Sequence, residues 1–173
     1  MKKLTVLFMA LLVSMAFCAC AGKPNEAEPT AEPTEKPPIS MFDLSEALRS
    51  ARGEGAELSY ASTSDINAAE ELAYVTDIDY EKVESFMMLY ASDGSESTDE
   101  IVVIALKDAS DANAAADSLN EHVESRIKLY NTYAPDKVDS LKNAEVFTKG
   151  RYAVLIICEN ADAVSRAFTE FIK

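Results

Sequence analysis

Few side chains in this chain have types and spacings that suggest chemistry. Cys18 and Cys20, in Phe17-Cys18-Ala19-Cys20-Ala21-Gly22, stand two residues apart, a spacing open to a disulfide, a metal clip or a processing site. Ser125 and Lys128 have the spacing of a serine nucleophile with a lysine base one helical turn away. Asp93, Glu96, Asp99 and Glu100 gather carboxylate oxygens of the kind calcium takes. His122 is the only histidine, and Cys158 is the third cysteine.

The surroundings decide among these readings. Met1-Lys2-Lys3 is followed by an almost unbroken apolar run from Leu4 to Phe17, the layout of a secretory signal peptide. The run is shorter than the roughly 20 residues a membrane-spanning helix needs. Its end resembles the bacterial lipoprotein signal Leu-Ala-(Gly/Ala)-Cys, in which a small residue precedes the cysteine that receives diacylglycerol. Cys20 follows Ala19, whereas Cys18 follows bulky Phe17, so Cys20 is the expected lipid attachment site and new amino terminus. Ala19-Cys20-Ala21 also fits the Ala-x-Ala rule of ordinary signal peptidase, which would release a soluble protein starting at Gly22. Two acyl chains, at about 0.8 kcal/mol per buried CH₂, anchor stably where one does not. The expected location is the extracytoplasmic face of the cell membrane, held by diacylglyceryl-Cys20. On that reading Cys18 leaves with the signal and Cys158 remains alone, a small apolar residue in a strand.

The other candidates carry less. Ser125 falls late in a helical pattern, whereas the penicillin-recognising enzymes place this serine at a helix start and add a Lys-Thr-Gly element that this chain lacks. The acids from Asp93 to Glu100 do not follow the EF-hand order with its central glycine, so a solvated hairpin tip is expected there and no metal. His122 has no second histidine or thiolate positioned beside it for zinc. No segment sets two carboxylates at an apolar strand end as glycoside hydrolysis needs. No catalytic residue and no cofactor is expected.

Charge narrows the partners. Removing residues 1–19 takes away Lys2 and Lys3 and no acids, leaving 14 basic and 30 acidic residues and a net charge of −16. Such a field repels nucleic acid. Residues 21–40 hold five of the six prolines and a tandem Ala-Glu-Pro-Thr, a composition that stays extended and reaches on the order of 60 Å at most. The expected organisation is therefore a signal peptide at 1–19, a lipidated amino terminus and tether at 20–40, and one small acidic domain at 41–173.

Within that domain, Asp43 and Glu46 start a helix that Gly53 stops, and a second short helix is expected from Asp65 to Tyr74. Glu84–Ala91 and Glu100–Lys107 read as a hairpin of strands. Ala112, Ala116, Leu119, Val123, Ile127 and Tyr130 then make the buried stripe of a long helix. After a short helix at Asp136–Lys142, a second hairpin turns at Lys149-Gly150, and Asn160 caps a last helix. The expected fold class is α+β: two β-hairpin-plus-helix units forming an antiparallel sheet of about four strands, with helices packed on one face and further helices at the N-terminus.

Tyr133-Ala134-Pro135, Lys142-Asn143-Ala144, Val146, Gly150-Arg151-Tyr152 and the apolar run Val154 to Ile157 closely resemble the bacterial lipoproteins that carry domain of unknown function 4358. The resemblance implies location and kinship of fold, and no catalytic residues. Two classes of function follow. A non-catalytic binding or accessory module would contact a cell-envelope protein through an open sheet face or the Lys149-Gly150 hairpin. A small envelope hydrolase would need a pocket with convergent polar groups and a perturbed acid.

Overall fold

The computed structural model describes residues 39–173. The expected signal segment at 1–19, the expected acylation site Cys20 and the expected tether up to residue 38 lie outside the described residues.

Five strands form the sheet: β1 (Leu58–Ser62), β2 (Val83–Ala91), β3 (Glu100–Leu106), β4 (Glu145–Lys149) and β5 (Tyr152–Ile157). Their spatial order is β1-β2-β3-β5-β4, and every neighbouring pair is antiparallel. The sequence of β3 explains its central place. It has no polar alternation after Glu100, so neither side can face water, and it is buried along its whole length.

Alternate residues of the strands point to opposite faces. On one face Phe86, Ile104 and Leu155 pack with Leu72 of α2 (Ala68–Leu72), Leu119 of α3 (Ala112–Tyr133) and Leu141 of α4 (Val138–Lys142). On the other, Met87, Val103 and Ile156 pack with Leu44 and Leu48 of α1 (Met41–Arg52) and with Val164 and Phe168 of α5 (Ala161–Phe171). Phe168 meets Phe147 and Tyr152 edge to face, at ring separations of 5.9 and 5.8 Å.

The α+β class and the antiparallel sheet are as expected. Two details differ. The sheet gains a fifth strand, β1, and helices cover both faces rather than one, because β3 and β5 are apolar on both alternations. The expected second helix also shrinks to the five residues of α2.

Local signals set the ends of the elements. α1 begins at Met41 with Ser40 as its cap, the Ser40 hydroxyl accepting from the Asp43 amide at 3.2 Å, so the cap lies ahead of the expected Asp43. Lys149 pairs with Tyr152, which makes Gly150-Arg151 the two-residue turn, and Gly150 takes φ 57°. That conformation is strained for a side chain with a Cβ and is the one a tight hairpin requires. Asn160 precedes α5 but makes no side-chain cap; its Nδ2 donates instead to the carbonyl of Arg52, 2.8 Å away.

Candidate functional site

A cleft of about 340 Å³ lies between the residues after α2, the ends of β2 and β3, the β2–β3 loop and α3. Its apolar and aromatic part comes from Tyr74, Val75, Met88 and Tyr90. Its polar part comes from Glu71, Asp99, Glu100, His122 and Arg126.

Secondary structure brings Glu100, His122 and Arg126 together. Glu100 is the first residue of β3, and its side chain points to the α3 side of the sheet. His122 and Arg126 are four residues apart on α3, so they share one helix face beside the buried Val123. His122 Nε2 donates to Glu100 Oε2 at 2.9 Å, and Arg126 Nη1 donates to the same oxygen at 2.6 Å. Arg126 Nη1 also donates to the Thr98 carbonyl at 3.3 Å.

Glu100 is 7% exposed. Burial alone would push its carboxyl up, but the His122 hydrogen bond and the Arg126 charge outweigh that and hold it below the ordinary glutamate value. An ionised carboxylate only accepts, so the proton of the His122 bond sits on Nε2.

The loop beside the cleft is fastened at several points. The Tyr130 hydroxyl donates to the Gly94 carbonyl at 3.1 Å, and Lys137 Nζ donates to the Glu96 carbonyl at 2.9 Å. Asp93 accepts from the Ser95 amide at 2.8 Å, a local turn that lowers its carboxyl first through Ser95. At the loop's end Asp99 Oδ2 accepts from Arg52 Nε at 2.7 Å, while Asp99 Oδ1 accepts from Ser97 at 2.9 Å.

The sequence candidates fall in different places. Asp93 and Glu96 are exposed, Asp99 pairs with Arg52, and Glu100 turns inward to α3, so the four acids do not converge. Ser125 and Lys128 lie on the exposed side of α3. Cys158 stands one residue beyond β5 and is half-buried, where a place inside the strand was expected. Burial, then the Asp99 charge, push its thiol up to about 11, which leaves it protonated and a poor nucleophile at neutral pH.

The trio of Glu100, His122 and Arg126 was not legible as a site. The signal lay in the four-residue step from His122 to Arg126 on a helix whose stripe is one residue away. Nothing in the chain says which of 30 acids faces that step.

A family model described as Domain of unknown function (DUF4358) matches residues 56–158, more than half of the chain. No curated protein and no solved structure matches it.

Proposed function

This chain belongs to the DUF4358 family, and we propose that it is a lipid-anchored, non-catalytic binding or accessory module on the extracytoplasmic face of the cell membrane. The cleft under the β2–β3 loop is its binding region, and the partner is a component of the cell envelope. Diacylglyceryl-Cys20 is the anchor and residues 21–40 the tether.

One observation carries the binding role. The cleft combines an aromatic and apolar wall with a carboxylate, an imidazole and a guanidinium that are bonded to one another. Such a mixed, partly preformed concavity is the usual make-up of a ligand site. The sheet itself offers no open face, since α1 and α5 cover one side and α2, α3 and α4 the other. The cleft, rather than a sheet face, is therefore the binding region.

The hydrolase reading has Glu100 and His122 in its favour, an acid and an imidazole in one cleft. Against it, Glu100 is held below its ordinary value by Arg126 and His122, which weakens it as a base. Among the described residues no helix is long and apolar enough to cross a membrane.

Detergent-phase partitioning with intact mass on the native protein tests the anchor, beside a Cys20→Ala variant. The expected result is a detergent-phase wild type carrying diacylglycerol on Cys20 and a variant that has lost it. An unmodified product beginning at Gly22 would overturn the anchor and leave a secreted soluble binding protein. Crosslinking in intact cells from a probe at Tyr74 tests the binding role. It is expected to capture an envelope component.

A further inference from the structure

Arg126 carries five N–H donors, and its partners among the described residues use only one of its three nitrogens. Nη1 is taken by Glu100 and by the Thr98 carbonyl. Nε and Nη2 have no protein acceptor among the described residues, although the side chain is only 18% exposed and lines the cleft. Those two nitrogens form the edge of a guanidinium that pairs with a carboxylate at two points. The edge is also fixed in place. Nη1 is pinned by its two acceptors, and the guanidinium carbon sits 5.5 Å from the centre of the Tyr130 ring. A ligand would find the donors already oriented and would lose little side-chain freedom in binding them.

Resting on the reading of this cleft as the binding region, we propose that it takes a single carboxylate carried on an aromatic or branched apolar body. Arg126 receives the carboxylate. Val75, Met88, Tyr74 and Tyr90 receive the body. Tyr74 is 78% exposed, an aromatic ring that the fold leaves largely without packing. At about 340 Å³ the cleft lies at the small end of the roughly 300–1,000 Å³ range of ligand pockets, so the body is about the size of one large side chain.

Charge favours one negative charge on the ligand over two. Glu71, Asp99 and Glu100 line the same cleft, and their repulsion of a phosphate dianion is about twice that of a carboxylate. A free acid and the last residue of a peptide present the same group, so both are candidate sources.

The test uses the full chain purified in detergent, followed by chemical-shift perturbation in amide and arginine side-chain NMR spectra. The probes are N-acetyl-L-phenylalanine, its uncharged amide, inorganic phosphate, and a short peptide ending in phenylalanine with a free carboxylate. The acid is expected to shift the Arg126 Nε–H and the cleft amides saturably, and the amide to bind about tenfold more weakly or worse. A peptide that binds more tightly than the free acid identifies a chain terminus as the source, and the reverse identifies a small metabolite.

Arg126→Lys keeps the charge beside Glu100 but removes the two-point edge. It is expected to melt close to wild type while losing about tenfold in affinity for the acid. Tyr74→Ser, at an exposed position, is expected to weaken binding without changing stability. An amide that binds as well as the acid, or phosphate that binds better, overturns the carboxylate assignment and leaves the cleft as a binding region. Probes that shift no cleft residue overturn the carboxylate assignment, and absence of any crosslink from Tyr74 overturns the binding region itself.

Discussion

Arg52, the last residue of α1, and Asp99, the residue before β3, meet across 47 residues of chain with Nη2 and Oδ2 2.5 Å apart. Arg52 is 7% exposed, and its Nη1 also donates to the Ala56 carbonyl at 3.0 Å. The pair ties α1 to the loop that borders the cleft. Breaking a buried pair costs about 3–5 kcal/mol because the remaining charge stays buried. Asp99→Ala is expected to lose that much in urea unfolding. Arg52→Met leaves Asp99 without its cation instead, but Asp99 is the more exposed partner and keeps its Ser97 bond, so a smaller loss is expected.

Gly55 gives a second test of the same contact. A Cβ there would lie 2.6 Å from Arg52 Nη2, and Asp99 and the Ala56 carbonyl leave that guanidinium little room to retreat. Gly55→Ala is expected to destabilise by about 1–3 kcal/mol, the usual range for overpacking. In an Arg52→Met background the penalty should shrink, since the crowded group is gone. A double-mutant cycle measures that coupling.

Acid sensitivity should trace to Glu100. Its folded-state carboxyl is held below the ordinary 4.5. A depressed carboxyl stabilises the fold fully above its unfolded value, and that contribution disappears as pH falls below about 4.5 through the folded value. Thermal melting between pH 7 and 3 is expected to show a steeper acid limb for wild type than for Glu100→Gln. Asp93 and Asp108 are also lowered, each through its neighbouring serine, so an acid limb of reduced slope should persist in the variant.

Cys158 should resist alkylation. A shift from 9.0 to about 11 lowers the thiolate fraction at pH 8 by about a hundredfold. Iodoacetamide labelling of the peptide holding Cys158, read by mass spectrometry, is expected to be slow in the folded protein and fast in urea. Equal rates in the two states would contradict the burial that raises the thiol.

The segment that matches the family model should not fold alone. Residues 56–158 hold all five strands but neither α1 nor α5. Cutting there uncovers Met87, Ile101, Val103, Val154 and Ile156 on one sheet face. A fragment of residues 56–158 is expected to aggregate or to give a poorly dispersed NMR spectrum, whereas residues 39–173 give a dispersed one.

Much of this fold could be read from period and punctuation. The stripe from Ala112 to Tyr130 became α3, with Leu119 and Val123 buried and Ile127 and Tyr130 half-buried against the same core. The apolar runs of β2, β3 and β5 became strands. β1 escaped because Leu58-Ser59-Tyr60-Ala61-Ser62 is short and half polar, and only its backbone pairing with β2 makes it a strand. The second helical layer was present in β3 and β5, whose two alternations are both apolar, a pattern that demands cover on each side. The site was harder to see. Glu100 reads as the last acid of a polar loop, and only the start of β3 turns it inward to meet His122 and Arg126, 22 and 26 residues away.

The helices that close the second sheet face are the first and last in the described chain, and they pack on each other as well as on the strands. A chain delivered from its amino end would have α1 in place early but could not seal Val103 and Val154 until α5 had emerged. Contacts of such long sequence separation form late and slow the search for the native state. Closure of that face is thereby timed to the arrival of α5, and until then it is a surface for chaperones or for aggregation.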